Sequence, residues 1–161
     1  MTALLPRSWR PDPSRLLPGD ARDYRGPRIA TWIIGGLLVL ITARSLIHLL
    51  APDGGAESIA TIDTSVEGGA NIIGLFGQWG AIQLLLAALL WVLLLRYRGL
   101  LPLIALVLLI EPLLRELSGR LKPIETMGTA PGAALNGAAI LVTALLFYLT
   151  LCPADGTPRD A

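Results

Sequence analysis

The sequence has very few of the side chains that soluble enzymes use for thiol, metal or haem chemistry. Of 161 residues, one is cysteine, one is histidine, and only 16% are charged. A single cysteine, Cys152, excludes an intrachain disulfide, a CxxC redox pair and a zinc cluster. A single histidine, His48, excludes a haem held by two histidines of one chain. We therefore expect no cofactor and no metal ion.

An excess of charge of one sign is also missing, and so are familiar catalytic motifs. The formal net charge is +1, so no strong field attracts nucleic acid, and we expect no nucleic-acid partner. No nucleotide-binding loop, zinc-protease motif, serine-nucleophile elbow or kinase signature occurs. The sequence therefore names no catalytic residue.

What the chain does have is long apolar runs. Apolar residues make up 53% of it, and the mean hydropathy is +0.64. A helix needs about 20 apolar residues to cross the hydrocarbon core of a membrane. Four stretches qualify or nearly do, at about 29–51, 72–95, 99–117 and 131–151. The pattern predicts an all-α fold, an integral membrane four-helix bundle over residues 29–152, with Glu111-Pro112 interrupting the third span.

The positions of Lys and Arg predict which ends of the spans face the cytoplasm. Nine lie beside the termini and the link between spans two and three: Arg7, Arg10, Arg15, Arg22, Arg25, Arg28, Arg96, Arg98 and Arg159. The opposite side has only Arg115, Arg120 and Lys122. The positive-inside rule therefore predicts a multi-pass protein of a cell inner membrane with both termini in the cytoplasm, N-in and C-in.

The segments outside the spans are predicted to be two cytoplasmic tails, residues 1–28 and 153–161. The first is rich in Pro and Arg and has no apolar core segment, so it does not fit a cleavable signal peptide. We expect it to be flexible. Alternatively, its apolar residues touch the headgroup layer: Leu4, Leu5, Trp9, Leu16 and Leu17.

The strongly polar residues of the spans gather in their outer half. Seven are candidates for ligand binding: Arg44, His48, Gln78, Gln83, Glu111, Arg115 and Asn136. A charge inside a membrane costs about 2.5–3.5 kcal/mol on insertion scales, so Glu111 is expected to face Arg44 or His48. The same pairing is open to a purely structural interpretation, an ion pair that locks two helices together.

Two outer loops, residues 52–71 and 118–132, are expected to cap the outer end of the bundle. In the first loop, Ile59, Ile62 and Val66 have roughly helical spacing, which favours a short interfacial helix lying as a lid over the polar residues.

The charged residues of these loops form a second set of candidates: Asp53, Asp63, Glu67, Arg120, Lys122 and Glu125. Because the first loop is acidic and the second carries basic residues, we expect them to meet through an ion pair. No EF-hand spacing is present among the acidic residues.

Glycine and alanine cluster in the outer halves of spans two and four. Small residues let helix backbones approach closely. We expect either a tight pair of spans two and four or a subunit contact through one of them, with a membrane protein or a second copy as the partner in the lipid bilayer.

Three functions fit this pattern. The first is a small inner-membrane protein whose outward-facing polar vestibule has a binding or accessory role toward a lipid-like ligand or a larger membrane complex. The second is a membrane enzyme acting on an amphipathic substrate, with His48 and Glu111 as acid and base. The third is a proton-coupled small-molecule transporter using Glu111. The sequence leaves open whether the chain is an enzyme.

Overall fold

The computed structural model describes residues 9–154, and within this range the chain is all-helical. Helices account for 68% of the described residues, and no strand occurs among them. The predicted all-α fold class is therefore confirmed. Arg7, Arg159, Leu4 and Leu5, to which the sequence pattern assigned roles, lie outside the described residues.

Five α-helices follow one another within residues 9–154: α1 (Arg28–Leu50), α2 (Gly69–Arg96), α3 (Leu101–Leu121), α4 (Pro131–Ala134) and α5 (Asn136–Leu151). Two short 3-10 helices, Pro13–Leu16 and Arg98–Leu100, precede α1 and α3. Two of the α-helices, α1 and α2, are long and apolar enough to cross a membrane, each with a mean hydropathy of 2.0 over its most apolar stretch. The helix α5 is apolar but shorter.

The helix α3 continues through Pro112, where the sequence suggested an interruption, and ends only at Leu121. A proline removes one backbone donor and disturbs one turn of a helix. Pro112 is fully buried, and its carbonyl accepts a hydrogen bond from Asn136 Nδ2 of α5 at 3.2 Å. Packing against α5 therefore supports the helix beyond the proline.

The helices pack as two antiparallel pairs, α1 with α2 and α3 with α5. In the first pair the backbones approach closely at Gly80, where an added Cβ would lie 2.7 Å from His48 Cβ. Small residues of α2 therefore serve the contact with α1. The expected tight pairing of spans two and four is wrong within this chain, because α2 and α5 barely touch. A subunit contact through one of them stays a prediction.

The two pairs share an apolar core near one end of the molecule. We call this the terminal end; it holds the start of α1, the α2–α3 connection and the end of α5. The opposite end, which we call the loop end, holds the loops 51–68 and 122–130. The core side chains are Ala30, Ile34, Leu38, Leu90, Leu94, Leu101, Ile104, Ala105, Leu108 and Leu146. All of them lie in the half of their helix nearer the terminal end, so close packing between the pairs is concentrated there.

Residues 9–27 lie across the terminal end, which corrects the expectation of a flexible tail for this part of the chain. Arg15 Nη1 donates a hydrogen bond to the carbonyl of Cys152 at 3.1 Å. Gly99 N, in the α2–α3 connection, donates to the carbonyl of Ala21 at 2.8 Å. The segment thereby satisfies backbone groups that helix ends leave free. It also ties the end of α5 and the α2–α3 connection together.

Candidate functional site

Four of the seven polar span residues form a cluster between α1, α2 and α3: Arg44, Gln83, Glu111 and Arg115. Arg115 Nη2 lies 3.0 Å from Glu111 Oε2, and Arg44 Nη2 lies 3.6 Å from Glu111 Oε1. Gln83 joins both partners, because its Oε1 accepts from Arg44 Nη2 at 2.7 Å and its Nε2 donates to Glu111 Oε1 at 3.5 Å. The expected pairing of Glu111 with Arg44 is therefore observed.

The net charge of the cluster is positive, since two guanidinium groups share the single carboxylate of Glu111. The Nε–H groups of Arg44 and Arg115 are both buried, and neither has a hydrogen-bond acceptor among the described residues. A guanidinium has five N–H donors and strongly favours acceptor oxygens. The cluster therefore has donors and charge left over after its internal contacts are made.

A shallow groove runs from this cluster toward the terminal end, between the α1–α2 pair and α3, and the space that it encloses is about that of one water molecule. Arg44, Gln83 and Glu111 form its polar end. The rest of its lining is apolar: Ile41, Leu86, Ala87, Leu90, Val107 and Leu108. On each helix the nearest apolar lining residues are three or four positions from the polar one. Polar and apolar lining residues therefore share one face of each helix. Nearly all of the surface that the groove exposes is apolar, and the three polar residues touch it only at the end nearer the loop end.

His48 is buried and lies apart from Glu111. Its Nδ1 is 2.7 Å from the carbonyl oxygen of Gly54, and its ring centroid is 4.7 Å from that of Trp79. The guanidinium carbon of Arg44 lies 5.4 Å from the Trp79 ring, within cation–π range. Among the described residues, no hydrogen bond or ion pair joins His48 to Glu111.

Of the seven span candidates, only Arg44, Gln83 and Glu111 line the groove, and the remaining two lie away from the cluster. Gln78 is exposed on α2 and makes no side-chain hydrogen bond within residues 9–154. Asn136 is buried where α3 meets α5, and its Nδ2 donates to the Pro112 carbonyl at 3.2 Å and to Glu116 Oε2 at 3.0 Å. In this position Asn136 links two helices.

The first loop forms a series of turns, which corrects the expectation of a short helix. Gly54 and Gly55 have φ values of +60° and +71°, in the left-handed region that interrupts an α-helix and favours glycine. Asp53 holds the turn, because its carboxylate accepts from Ser58 N at 2.8 Å and from Gly55 N at 2.9 Å. These backbone hydrogen bonds lower the pKa of Asp53 to about 2. We therefore assign Asp53 a structural part in the loop.

The two loops do meet, through backbone and hydroxyl groups. Met127 N donates to the Thr61 carbonyl at 2.7 Å, and Thr61 Oγ1 donates to the Gly128 carbonyl at 2.9 Å. Thr61 has a φ of 56°, which is unusual for a β-branched residue. Apart from this contact, residues 121–129 are exposed. The second loop therefore does not pack over the helix ends as expected.

The charged loop residues find partners close to themselves in the sequence. Asp63 Oδ1 accepts from the hydroxyl of Ser65 at 2.6 Å, which lowers the pKa of Asp63. Arg120 Nε lies 2.9 Å from Glu116 Oε1, one turn earlier on α3. Short separations along the chain make such contacts entropically cheap. The predicted ion pairs between the loops do not occur among the described residues, where the side chains of Glu67, Lys122 and Glu125 are exposed.

Sequence reasoning found the charged end of the groove and missed its apolar walls. In the sequence, the leucines of the groove walls cannot be distinguished from the other leucines of the spans. The packing of the helices is needed to identify them. The usable signal was helical spacing, because Leu86, Ala87 and Leu90 share a face of α2 with Gln83. Trp79 lies four residues before Gln83 on α2. It lies between His48 and Arg44.

Comparisons with protein-family models, with curated proteins and with solved structures find no match to this chain. Within residues 9–154, no group of three or more His, Cys, Asp or Glu side chains is arranged to hold a metal ion. The function is therefore argued from the chemistry of the groove and its cluster.

Proposed function

We propose that the chain crosses a cell inner membrane four times, with both termini in the cytoplasm. The main support is how little of the apolar surface is covered: only 22% of the most apolar stretch of α1, and of α2, is buried. Leucines on different helices remain mostly exposed, among them Leu40 (66%), Leu85 (73%) and Leu145 (70%). Such continuous apolar surface is unfavourable in water and is solvated by hydrocarbon.

Helix lengths are compatible with four spans. The helices α1, α2 and α3 have 23, 28 and 21 residues, which gives about 35, 42 and 32 Å at 1.5 Å per residue. The hydrocarbon core is about 30 Å thick. The 16 residues of α5 reach about 24 Å. The adjoining α4 and Leu135 lengthen this segment toward the thickness required.

The terminal end fits the cytoplasmic side. Arg22, Arg28, Arg96 and Arg98 are exposed there, and arginine is enriched on the cytoplasmic side of membrane proteins. Trp32, in the first turn and a half of α1, is 78% exposed. That is the depth at which aromatic side chains meet lipid headgroups.

Single cysteines in a Cys152→Ser background test this topology. We expect an impermeant maleimide applied from outside the inner membrane to label Glu57→Cys in the first loop. The Arg22→Cys variant should react only after the membrane is opened. Labelling of Glu57→Cys from the cytoplasmic side alone would invert the orientation. Labelling of both sites from outside would contradict the four-span arrangement.

We further propose that the groove binds one lipid-like amphipathic molecule from the outer leaflet. The observation that carries this proposal is the position of the charged cluster at the loop end of an apolar groove. A lipid of the outer leaflet has the same polarity along its length, with the headgroup outward and the chains toward the midplane. Binding sites for small molecules are commonly apolar, with a few convergent polar groups that fix orientation.

The same geometry gives less support to an enzyme or a transporter. The Nδ1 of His48 is engaged by the Gly54 carbonyl, and no contact brings His48 to Glu111. A proton-coupled transporter needs a polar route beyond Glu111. Core residues such as Leu94, Leu101 and Ile104 occupy that direction.

Photo-cross-linking tests the binding proposal. The probe is a phospholipid with a diazirine in its acyl chain, added to nanodiscs of phosphatidylethanolamine and phosphatidylglycerol that hold the purified protein. We expect adducts to concentrate on groove residues such as Val107. The variant Leu86→Trp fills the groove and should lower these adducts several-fold. Leu85→Trp, the same change one residue away on the exposed face, should leave them unchanged. Adducts spread evenly over all lipid-facing leucines would refute the proposal.

A further inference from the structure

We propose that the groove selects a lipid whose headgroup is an anion, and that Arg44 and Arg115 together bind its phosphate. This inference rests on the proposed lipid-binding function and names the chemical class of the ligand. It starts from the charges, hydrogen-bond donors and depth of the cluster.

The charges of the cluster do not balance. Arg44 and Arg115 are both within ion-pair distance of Glu111, at 3.6 and 3.0 Å, so one carboxylate serves two guanidinium groups. The next carboxylate along α3, Glu116, is already engaged by Arg120 at 2.9 Å and by Asn136 at 3.0 Å. One positive charge therefore remains at the polar end of the groove. In apolar surroundings a cation is costly without an anion beside it.

Hydrogen bonding indicates the same ligand class. The Nε–H groups of Arg44 and Arg115 are buried without an acceptor in the described part of the chain. The Nη2 atoms alone make the contacts to Glu111. Phosphate oxygens accept from an arginine through two parallel N–H groups. In a zwitterionic phospholipid the same phosphate carries a choline or ethanolamine cation, which would lie beside the surplus positive charge of the cluster and be repelled by it. A shared anion supplies acceptors to both arginines at once.

Depth favours a membrane lipid over a free anion as the ligand. Arg44 lies six residues before the end of α1 at Leu50, and Arg115 six residues before the end of α3 at Leu121. Both are therefore about 9 Å below the helix ends. The long arginine side chains reach upward from this depth toward the headgroup layer. The apolar groove wall begins below Arg44 and, on α3, below Glu111, which lies one turn from Arg115. A phosphate bound by both arginines would continue into acyl chains that cover Leu86 and Val107.

Competition between lipids tests the inference. Purified protein in detergent receives equal amounts of phosphatidylglycerol and phosphatidylcholine with identical chains, and retained lipid is counted by native mass spectrometry. A parallel sample receives inorganic phosphate. We expect phosphatidylglycerol to be retained several-fold over phosphatidylcholine, because both lipids present a phosphate to the arginines but only phosphatidylcholine adds a cation beside the surplus positive charge. Inorganic phosphate at equal concentration should not displace it.

Variants assign the selectivity to the two arginines. Arg44→Gln and Arg115→Gln should each bring the preference close to one. Lys122→Gln removes a positive charge from the same end of the molecule at an exposed position and should leave the preference intact. Arg44→Lys keeps the charge and protects folding, but loses the forked donor geometry, so an intermediate preference is expected.

Glu111→Gln distinguishes an anion site from a structural ion pair. Glu111 competes with the headgroup for both arginines, so its replacement should raise the preference for phosphatidylglycerol. If the protein is less stable without Glu111, its melting temperature should recover in phosphatidylglycerol and not in phosphatidylcholine. Loss of the preference in Glu111→Gln would overturn the inference and leave a structural ion pair.

The failures of the two proposals are distinguishable. Acyl-chain cross-links in the groove without any headgroup preference would overturn the anion inference and leave lipid binding standing. Displacement of the lipid by inorganic phosphate would overturn the choice of a lipid ligand in favour of a free anion. Absence of cross-links in the groove would overturn the lipid-binding proposal, and the anion inference with it.

Discussion

Two groups of buried or half-buried polar side chains on the helices differ in whether their hydrogen bonds stay within one helix. The first consists of hydroxyl groups that donate to a carbonyl of their own helix: Ser45, Thr143 and Thr150. Such local bonds satisfy a polar group inside apolar surroundings without involving another helix. The second group consists of Arg44, Gln83, Glu111 and Arg115, whose contacts extend between helices. Only the second group retains donors and charge for a ligand.

At the residue scale, Asp53 gives a pH-dependent prediction. Its pKa in the folded protein is about 2, below the ordinary value of 3.8. A lowered pKa stabilises the folded state at pH values above 3.8, and this contribution is lost as the pH falls through about 2. Because the carboxylate is largely hydrated, we expect it to contribute about 1 kcal/mol or less to the free energy of unfolding.

The measurement is thermal unfolding in detergent, followed by circular dichroism between pH 5 and pH 2. Asp53→Asn should melt below the wild type at pH 5, and the difference should shrink as the pH approaches 2. Glu67→Gln is the control, because Glu67 is an exposed carboxylate of the same loop without a side-chain hydrogen bond among the described residues. A difference for Asp53→Asn that stays constant with pH would contradict the assignment.

At the scale of the elements, the two helix pairs are built differently. The helices α1 and α2 approach closely because glycine removes side chains from their contact. The helices α3 and α5 are joined by the amide of Asn136, which reaches the Pro112 carbonyl and Glu116. Charges lie along the second half of α3, whereas most of α1 and α2 is apolar. The groove forms where the glycine-packed pair meets the charged helix.

Gly80 provides the prediction for the α1–α2 contact. A Cβ at this position would lie 2.7 Å from His48 Cβ and 2.7 Å from Leu49 N, so Gly80→Ala forces the two backbones apart. Overpacking of this kind costs about 1–3 kcal/mol. We expect a clear fall in the melting temperature measured in detergent.

The matched control is Gly74→Ala, on the same helix, where an added Cβ meets no atom within 4 Å. Alanine is the better helix former by up to about 1 kcal/mol. This variant should therefore be neutral or slightly stabilised. Equal destabilisation by both substitutions would mean that the close approach at Gly80 is not what holds α1 to α2.

At the scale of the whole molecule, residues 9–27 connect parts of the chain that are far apart in sequence. Arg15 reaches the carbonyl of Cys152, and Ala154 N donates to the carbonyl of Arg25 at 3.0 Å. These contacts hold the segment against the end of α5. Cys152 is only 3% exposed in this arrangement.

Accessibility of Cys152 to a maleimide reports on this segment. Arg15→Ala removes the side chain that binds the Cys152 carbonyl, so the segment should open more often, and Cys152 should react several-fold faster. Arg22→Ala changes an exposed arginine of the same segment and should leave the rate unchanged. Equal rates for Arg15→Ala and the wild type would show that the segment does not shield the thiol.

Much of this architecture follows from local chemistry. Long apolar runs specify helices because, in hydrocarbon, a backbone must satisfy its hydrogen bonds within each segment. Helical spacing and the cost of buried charge were enough to predict that Glu111 pairs with Arg44. The positions of α1 and α2 were predicted to within three residues at each end. The end of α3 was not, because burial of Pro112 against α5 is not visible in the sequence of α3 alone.

Other features depend on contacts between residues distant in the chain. Helix pairing was predicted incorrectly, because small residues show that a close contact exists but not which helix makes it. The placement of Asn136 and the folded segment at the terminal end arise from hydrogen bonds with partners that local patterns do not specify. The apolar wall of the groove exists only once three helices stand side by side. The identity of the side chains determines where the charges lie along the chain. Packing between distant segments determines which of these residues lie on the same surface.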